Sequence, residues 1–332
     1  MAVPLLIDTD TGIDDAVALA LAASLGSLDV RAVTTVHGNV EVERATRNAR
    51  EVLRRTGLFA PVIAGAGAPL TRPAQPARET HGPEGLGYVV PSVSAIVEPD
   101  TAAECIVATA QRRPGLVMCC LGPLTNIARA LTASPLLAGM VGPVFVMGGA
   151  LGVRGTQTKW SEFNWWSDPE AARAVLRAGF DLRLVPLDVT RRVAVPSAAI
   201  TQLAAAGARD DDARFWSDAL RFYADFHRRY ESFDGCVIND ALAIALVHDA
   251  SLADWRPMRL DVSTSGDEHR GAARESADGA PVQVAVSVRA ADVLEMVRER
   301  VFARWLGAGA FGAGAGAAAH WLERHPLHES FM

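Results

Sequence analysis

The sequence of 332 residues is poor in cysteine, contains no apolar run long enough for a membrane span and has no excess of basic residues. Its four cysteines form neither a disulfide framework nor a zinc-binding spacing, which is typical of the reducing cytoplasm. The first residues lack the pattern of a secretory signal, so we expect a cytoplasmic protein. A net charge of −6 without a basic stripe argues against a nucleic acid or an anionic membrane as partner.

What the sequence does contain is a regular alternation of short apolar runs and longer helical patterns. We predict strands at 3–8, 30–36, 62–64, 116–121, 143–147, 182–187, 257–262 and 282–288. We predict helices at 14–25, 41–56, 101–112, 124–133, 169–178, 197–206, 212–229, 239–248 and 290–305. The alternation is typical of βαβ units, so we expect an α/β fold with an open, mostly parallel mixed sheet, helices on both faces and a Rossmann-like core.

We expect a single domain with three parts, namely an α/β core over about 1–190, mainly helical and C-terminal strand elements over 191–306, and a low-complexity link and tail over 307–332. The glycine-alanine run at 307–319 predicts a mobile surface link. The stretches 65–99 and 149–168 are longer than ordinary connections, which favours a role as lids or binding segments.

Residues 7–15 read IDTDTGIDD, with four aspartates in and after the end of the first predicted strand. Close carboxylates repel one another and resist burial, so the block is stable only if a cation or strong hydrogen bonds lie among them. A turn and a helix cap explain Asp14 and Asp15. The turn and the helix cap do not explain why Asp8 and Asp10 stand at the strand end. We therefore favour a cation site at this strand end, where open α/β sheets bind their ligands.

The ligand set narrows the choice of cation and of enzyme class. Oxygen ligands without histidine or cysteine nearby favour Ca²⁺ or Mg²⁺ over zinc. An EF-hand is excluded because Ile13 and Leu19 occupy the positions where its loop needs glycine and glutamate. A haloacid-dehalogenase-type phosphotransferase also carries an Asp-x-Asp at a strand end, but it needs a lysine and a GDxxxD motif. This chain has one lysine, Lys159, and GDEHRG at 266–271 lacks the second acid, so that class is the weaker alternative.

Six blocks spread over roughly residues 3–250 read DTDTGIDD (8–15), TTVHGNV (34–40), GPLTNIARAL (122–131), VMGG (146–149), EFNWWSDPEAA (162–172) and INDALA (238–243). In this order they resemble the nucleoside hydrolases of the inosine-uridine-preferring type. The resemblance implies the nucleoside hydrolase fold and a Ca²⁺-dependent enzyme. Such an enzyme cleaves the N-glycosidic bond of a ribonucleoside with water, giving ribose and a free base. It also implies a homodimer or a homotetramer.

The resemblance also implies which residues form the site. Four residues hold the calcium, namely Asp10, Asp15 through both carboxylate oxygens, Thr125 through its backbone carbonyl, and Asp240. Five residues lie at the ribose, with Asp14, Asn39, Glu162 and Asn164 at its hydroxyls and Met147 near the sugar. The calcium also binds the attacking water, and Asp10 is the general base that takes its proton. Carboxylates around the sugar suit this reaction, because positive charge develops on the ribose in the transition state.

The chain departs from the family pattern at two positions. Asn239 stands where many members have a histidine that helps to protonate the leaving base, and an amide donates a hydrogen bond but cannot deliver a proton. Thr156 stands where the family often has an asparagine near the 5′-hydroxyl. His227 and His81 are the candidate proton donors in compensation. For each of them, a histidine without a catalytic role is an equally good interpretation.

Other candidate residues have a structural interpretation beside a functional one. His37 precedes a glycine turn, and we interpret it as structural. Trp160, Trp165 and Trp166 are candidates to stack on a nucleobase. Because the last two lead into a helix, we expect core packing for at least one of them.

Two alternatives to an ordinary ribonucleoside hydrolase stay open at this point. The first is a non-catalytic or repurposed homologue that binds a nucleoside or ribosyl compound, in which Asn239 marks the loss of proton donation. The second is a hydrolase of a modified or 5′-substituted nucleoside, which Thr156 and Asn239 together suggest. The preference for purine or pyrimidine bases is equally open, because the long connecting segments supply most base contacts in such a site.

Overall fold

A computed structural model describes residues 2–312 of the chain. Its strands are Val3–Thr9 (β1), Leu28–Thr35 (β2), Val62–Ala64 (β3), Val117–Cys120 (β4), Val144–Met147 (β5), Leu182–Val185 (β6), Ala194–Pro196 (β7), Gly235–Val237 (β8), Ala253–Val262 (β9), Ala273–Glu275 (β10) and Ala280–Val288 (β11). Its helices are Ile13–Ser24 (α1), Val42–Thr56 (α2), Arg78–His81 (α3), Ala102–Arg112 (α4), Thr125–Ala133 (α5), Leu137–Met140 (α6), Phe163–Ser167 (α7), Pro169–Leu176 (α8), Leu187–Thr190 (α9), Ser197–Gly207 (α10), Asp211–Glu231 (α11), Asn239–His248 (α12) and Ala290–Val297 (α13). Within this part of the chain, no helix combines the length and the apolar character needed to cross a lipid bilayer.

Nine strands form one sheet in the order β10-β9-β11-β6-β5-β4-β1-β2-β3. The strands from β3 to β11 in this order run parallel, whereas β9 is antiparallel to both β11 and β10. The order reverses between β1 and β4, because the chain first adds β2 and β3 on one side of β1 and then β4 to β6 on the other. Such a reversal opens a ligand crevice at the carboxyl ends of the two strands. The predicted fold class, an open and mostly parallel mixed sheet, is confirmed.

The two faces of the sheet bury separate hydrophobic cores. Leu5 and Ile7 of β1 lie in a core with α1, α2, α10, α11, α12 and α13, whereas Leu6 lies in a core with α4, α5 and α8. Successive side chains of a strand point to opposite faces, so an uninterrupted apolar run can fill both cores. The helices therefore cover both faces of the sheet, as the sequence predicts.

Helix α1 places the aspartate block next to the first turn of α12, which also carries an aspartate. Its run AVALALAA is buried, because α1 packs against α2 and α12. Asp14 and Asp15 lie in the first turn of α1, and Asp240 lies in the first turn of α12. The positive end of a helix dipole stabilises carboxylates at such positions.

The structure differs from the sequence prediction mainly after residue 190. Strands β7 and β8 form a separate antiparallel pair that was not predicted, because three-residue strands show no readable alternation. The predicted helix at 290–305 ends at Val297 and continues as a π-helical turn over Arg298–Phe302. In the predicted surface link, Gly307, Ala308 and Gly309 are exposed, whereas Phe311 is buried against Phe302 with ring centroids 5.7 Å apart. The remainder of the predicted link and tail, 313–332, lies outside the described residues.

Candidate active site

The polar ends of the central strands meet at the crevice between β1 and β4. The backbone N–H of Asn39, which follows β2, donates to Asp10 Oδ2 at 2.7 Å. The backbone N–H of Leu121, which follows β4, donates to the carbonyl of Asp8 at 2.8 Å. The ends of three neighbouring strands are thus tied together around the aspartate block.

Asp15 caps a helix and also lies beside other predicted site residues. Its Oδ2 accepts hydrogen bonds from the backbone N–H of Gly12 at 2.8 Å and from Asn39 Nδ2 at 2.9 Å. Its Oδ1 accepts from Thr9 Oγ1 at 2.5 Å. The carboxylate therefore caps α1 and at the same time lies among the site residues.

Asp10 has one satisfied and one unsatisfied carboxylate oxygen. Oδ2 accepts from Asn39, but Oδ1 is buried without a hydrogen-bond partner among residues 2–312. A side chain at Gly38 or at Gly122 would collide with this carboxylate, so the two glycines make room for it. A buried acceptor without a partner costs free energy, and a cation is one group that satisfies it.

Three further carboxylates come together beside Asp10. Oxygen atoms of Asp14, Asp15 and Asp240 lie within 4.8 Å of one another, and all three side chains are buried. Burial and the charge of the neighbouring aspartates raise the pKa of Asp10 and of Asp240 well above the usual range, and burial raises the pKa of Asp14 and Asp15. These residues fit a divalent cation. Such an ion needs oxygen ligands, and its charge relieves the repulsion between the carboxylates.

Asp8 lies outside this cluster. Its Oδ1 accepts from Thr34 Oγ1 at 2.5 Å and from Asn126 Nδ2 at 2.8 Å, and burial raises the pKa of Asp8 to about 6. Both partners belong to the neighbouring strand end and to α5. Asp8 therefore joins the strand ends by hydrogen bonds, whereas the other three aspartates of the block lie at the candidate cation site.

Thr125 lies at the start of α5, and its side chain is already engaged. Thr125 Oγ1 lies 3.0 Å from His37 Nε2 and donates to Asp168 Oδ2 at 2.7 Å. Burial lowers the pKa of His37 to about 4, so this imidazole is neutral at pH 7. These contacts agree with a structural interpretation of His37, and they leave only the backbone carbonyl of Thr125 for a cation.

A cavity opens above the carboxylates, and ten of the thirteen predicted site residues line it. These ten are Asp14, Asn39, His81, Met147, Thr156, Glu162, Asn164, His227, Asn239 and Asp240. Asp10, Asp15 and Thr125 are not part of the lining. Asp10 and Asp15 nevertheless both bond to Asn39, which does line the cavity.

Glu162 and Asn164 are held rigidly where β4 and β5 end. Glu162 caps α7 and accepts from the backbone N–H groups of Asn164 at 2.6 Å, Gly149 at 2.9 Å and Trp165 at 3.1 Å. Asn164 Nδ2 donates to the carbonyl of Leu121 at 2.7 Å. Burial raises the pKa of Glu162 to about 7 despite these bonds, so its proton can be lost or gained near neutral pH.

The two candidate histidines differ in their surroundings. His81 is buried, and its Nδ1 accepts from the backbone N–H of Ile13 at 3.1 Å, so the neutral ring carries its proton on Nε2. Burial lowers the pKa of His81 to about 4. His227 Nδ1 faces the carbonyl of Tyr223 at 2.8 Å, and its Nε2 lies 3.7 Å from Glu231 Oε2.

The two positions that depart from the family pattern both make local hydrogen bonds. Asn239 Nδ2 donates to Asp14 Oδ2 at 3.0 Å, and Asn239 Oδ1 accepts from Thr190 Oγ1 at 2.8 Å. Thr156 Oγ1 accepts from the backbone N–H of Phe163 at 3.0 Å. Asn239 therefore positions a predicted ribose ligand, and Thr156 orders the start of α7.

Comparison with known proteins identifies the family. A family model described as inosine-uridine preferring nucleoside hydrolase matches residues 5–295. The chain belongs to this family. It is thus a member of the ribonucleoside hydrolases, enzymes that act on N-glycosyl compounds.

Individual relatives cover most of the chain. It is 33% identical over 277 residues to the pyrimidine-specific ribonucleoside hydrolase RihA of Salmonella arizonae, with 82% of this chain and 88% of the relative covered. It is 33% identical over 297 residues to the non-specific ribonucleoside hydrolase RihC of Escherichia coli, with 87% and 94% covered. A solved plant nucleoside hydrolase has 30% identity and a TM-score of 0.83, with 91% of this chain and 100% of that one covered.

The aromatic residues of the site are not the ones that the sequence suggested. Trp165 and Trp166 are buried and Trp160 donates through its indole N–H to Glu268 at 3.2 Å, and none of the three lines the cavity. The expectation of core packing for at least one of Trp165 and Trp166 is therefore confirmed, because α7 turns both inward, and none of the three tryptophans is placed to stack on a nucleobase in this cavity. Aromatic rings in the lining come instead from Phe163, Tyr223 and Phe226.

Sequence reasoning missed several charged and aromatic lining residues. Arg191 and Glu231 line the cavity together with Tyr223, whose hydroxyl lies 3.4 Å from Asp14 Oδ2. Tyr223 and Glu231 lie one helical turn before and after His227 on α11. That spacing was the available signal, because residues four apart share one face of a helix.

Proposed function

We propose that this nucleoside hydrolase uses Ca²⁺ to hydrolyse the N-glycosidic bond of ribonucleosides to ribose and a free base. The observation that carries the proposal is the group of four buried carboxylates at a cavity lined by polar side chains. Such a group is costly to bury, and a hard divalent cation offsets that cost. Their oxygen ligands and the absence of histidine or cysteine among them favour calcium or magnesium over a softer metal.

The cation would be held by Asp10, Asp15, Asp240 and the backbone carbonyl of Thr125. When bound, it lowers the pKa of a coordinated water and binds ribose hydroxyls. The close approach of Asp14 to Asp15 and Asp240 supports a position for the ribose directly beside the ion.

Asp10 is the general base in this proposal. Its carboxylate lies in the crevice between β1 and β4, and burial and the charge of Asp15 raise its pKa well above the usual range. A carboxylate with a raised pKa accepts a proton more readily from the attacking water. The unpaired Oδ1 supports both roles of Asp10, since Oδ2 bonds to Asn39 and Oδ1 is available to the cation and to the attacking water beside it.

The ribose is bound by Asp14, Asn39, Glu162 and Asn164, with Met147 against the sugar. Glu162 is pre-positioned by three backbone N–H groups, so it needs no reorganisation when substrate binds. The negative charge of this wall stabilises the oxocarbenium-like transition state, in which the sugar becomes positive as the bond to the base breaks.

For the base to leave, the cavity must supply a proton donor or hydrogen-bond donors beyond the residues that bind the ribose. His81, His227 and Asn239 are the candidates, and all three line the cavity. His81 is suited to donate a hydrogen bond from Nε2, because its Nδ1 is occupied by Ile13. Asn239 is suited to orient Asp14.

Further properties follow from the same reading. We propose a homodimer or homotetramer in the cytoplasm, where the enzyme takes part in ribonucleoside catabolism and in purine or pyrimidine salvage. The four cysteines are free, which supports a reducing compartment.

A direct test incubates the purified protein with Ca²⁺ and a panel of purine and pyrimidine ribonucleosides, including 5′-substituted and base-modified ones. We expect release of reducing sugar from at least one unmodified ribonucleoside, and its loss after chelation with restoration by Ca²⁺. Release from modified compounds alone would favour a hydrolase of modified nucleosides. Calcium binding without sugar release from any compound would favour a non-catalytic homologue.

A further inference from the structure

Three side chains of the cavity wall, His227, Glu231 and Arg191, form a chain of charged and titratable groups, and the last two have no role in the function proposed so far. His227 Nε2 lies 3.7 Å from Glu231 Oε2, and Glu231 Oε1 lies 3.8 Å from Arg191 Nη2. All three line the cavity. His227 and Arg191 are buried, whereas Glu231 is partly exposed to solvent.

The hydrogen bonds of His227 determine where its ring can carry protons. The carbonyl of Tyr223, 2.8 Å away, can only accept, so Nδ1 must bear a hydrogen. In the neutral ring Nε2 is then an acceptor, and it would face the carboxylate of Glu231, which is also an acceptor. The contact is favourable only when a proton lies on Nε2 or on Glu231. The pair is therefore built to carry one additional proton.

His81 is built in the opposite way. Its Nδ1 accepts from Ile13, so adding a proton there would break a buried hydrogen bond. Burial lowers the pKa of His81 to about 4. His81 consequently stays neutral at physiological pH and offers a hydrogen bond, not a proton.

We propose that His227 is the residue that protonates the leaving base and that Glu231 is the positioning residue that keeps the proton on His227. This inference rests on the ribonucleoside hydrolase function proposed above. The pair supplies the proton that Asn239 cannot deliver, and it comes from α11, not from the start of α12. The substrates that it suits are nucleosides whose base accepts a proton on a ring nitrogen or a carbonyl oxygen.

The reaction then balances as follows. The water oxygen forms a bond to C1′ and its proton passes to Asp10, while the electron pair of the N-glycosidic bond leaves with the base. The proton of His227 Nε2 passes to the base, which departs neutral. Asp10 afterwards loses its proton to solvent, and His227 regains one from solvent through the partly exposed Glu231.

Arg191 holds the carboxylate of Glu231 in place beside the imidazole. Its Nη2 lies 3.8 Å from Glu231 Oε1, on the side of the carboxylate away from His227 Nε2, which faces Oε2. Arg191 Nη1 also donates to the carbonyl of Arg154 at 2.6 Å, which fixes the guanidinium on the segment before α7. Because it acts on His227 through Glu231, Arg191 is a positioning residue too.

The pH dependence follows from the groups that face His227. Burial lowers the pKa of His227, the charges of Glu231 and Asp14 oppose that shift, and Arg191 adds to it. Two other titratable rings lie close to it and stay neutral, because burial lowers the pKa of His81 to about 4 and raises the pKa of Tyr223, whose ring centroid is 4.4 Å from that of His227, well above its usual value. Removal of the Glu231 charge therefore lowers the pKa of His227 further, and the alkaline limb of kcat moves to lower pH.

The test compares two kinds of substrate in the calcium-loaded full-length protein. Natural ribonucleosides need a proton on the leaving base, whereas 4-nitrophenyl riboside releases a stable phenolate that needs none. We expect His227→Gln to lower kcat for ribonucleosides by about 100-fold or more, and Glu231→Gln by about 10-fold. Both variants keep the activity on 4-nitrophenyl riboside within about threefold.

Asp218→Asn is the matched control, because it removes a carboxylate from the exposed side of the same helix, where it pairs with Arg221 at 3.3 Å. It is expected to leave both activities unchanged. Equal losses on both substrates in the Glu231 variant, or no loss on either, would overturn the proposal. A wild-type protein that releases ribose from neither substrate would instead overturn the ribonucleoside hydrolase function on which it rests.

A second measurement does not depend on activity. The ¹⁵N signals of the histidine side chains report the protonation of each ring, and Glu231→Gln is expected to lower the pKa of His227 while His81 keeps its own. An unchanged pKa of His227 in a folded Glu231 variant contradicts the proposed positioning role. Glu231→Asp, which keeps the charge, is expected to restore part of the pKa and part of kcat.

Discussion

The two parts of the cavity solve opposite electrostatic problems. Around Asp10, Asp15 and Asp240, carboxylates gather with backbone N–H groups and amides as hydrogen-bond donors, so the charge remains to be balanced by an ion. Around His227 and Glu231, a carboxylate, an imidazole and a guanidinium balance one another within the protein. The first part is suited to bind a cation and stabilise a sugar cation, and the second is suited to hold and release a proton.

This difference also has a structural basis. The acidic part stands on the ends of β1, β2 and β4 and on the first turns of α1 and α12, which are among the most buried elements. The second part stands on the end of α11 and on Arg191 directly after α9, where His227 and Arg191 are buried but Glu231 is partly exposed to solvent. Rigid strand ends suit metal and sugar binding, whereas access to solvent suits proton exchange.

The largest expected effect is in the acidic part. Asp10→Asn should lower kcat by about a thousandfold or more, because one change removes both the general base and a cation ligand. The fold should persist, and the calcium-free variant should be at least as stable as the wild type, since a carboxylate with a raised pKa is removed. Steady-state kinetics and thermal unfolding without calcium measure the two quantities.

Asp29→Asn serves as the control for this prediction, since Asp29 is a partly exposed aspartate paired with Arg31 near the other end of the sheet. Asp29→Asn should change neither kcat nor the thermal stability without calcium appreciably. A nearly normal kcat in the Asp10 variant would show that the base lies elsewhere, and it would remove the proposed division between the two parts.

A second change tests whether metal and sugar bind as one unit. Asp240→Ala should weaken calcium affinity by at least about 100-fold, because a buried ligand is lost. Affinity for ribose analogues should fall with it, since the sugar binds beside the ion. Calorimetric titration with calcium, and then with a ribose analogue, gives both constants.

Asp249→Ala, at the opposite end of α12, is the matched control for that titration. Its carboxylate caps the following turn through the backbone N–H of Ser251 at 2.9 Å and is remote from the aspartate cluster in the fold. Unchanged ribose affinity in an Asp240 variant that no longer binds calcium would refute the coupling.

A smaller effect is expected at the border between the two parts. Asn239→Ala removes the hydrogen bond to Asp14 and leaves Thr190 without its acceptor. We expect KM to rise by about 10-fold with little change in kcat, because about one buried hydrogen bond to a charged ribose ligand is lost. A loss confined to kcat would instead place Asn239 at the leaving base, and substrate titration distinguishes the two.

The smallest expected effect is a dependence of calcium stabilisation on pH. Without calcium, the carboxylates with raised pKa values stabilise the fold at pH values below their ordinary pKa. This contribution to the free energy of unfolding is lost as the pH rises through the raised pKa values. Calcium replaces the lost protons, so the increase in Tm on adding calcium should be larger at about pH 8 than at about pH 5. His37 and His81 have lowered pKa values. Their contribution to stability is present with and without calcium, so it cancels in the increase in Tm on adding calcium. An increase in Tm that does not depend on pH would contradict a carboxylate site.

Much of this architecture could be predicted from the residue pattern. The strands up to β6 and most of the helices lie within a few residues of their predicted bounds, because long apolar periodicities report directly on burial. The short pair β7 and β8 could not be predicted, and the residue pattern predicted core packing for at least one of Trp165 and Trp166 without showing that both are buried. Three-residue strands and a single helical turn carry too little pattern to show which side they bury.

The candidate site also has one part that the sequence predicted and one part that it could not. The local sequence determined that Asp10, Asp14 and Asp15 meet at a strand end, because a few residues separate them and a strand followed by a helix can place them nowhere else. Only the tertiary structure decided that His227, Glu231 and Arg191 meet in the same cavity. Their proximity depends on how α11 packs against α10, α3, α1 and β8, and many long-range contacts set that packing where no local pattern can.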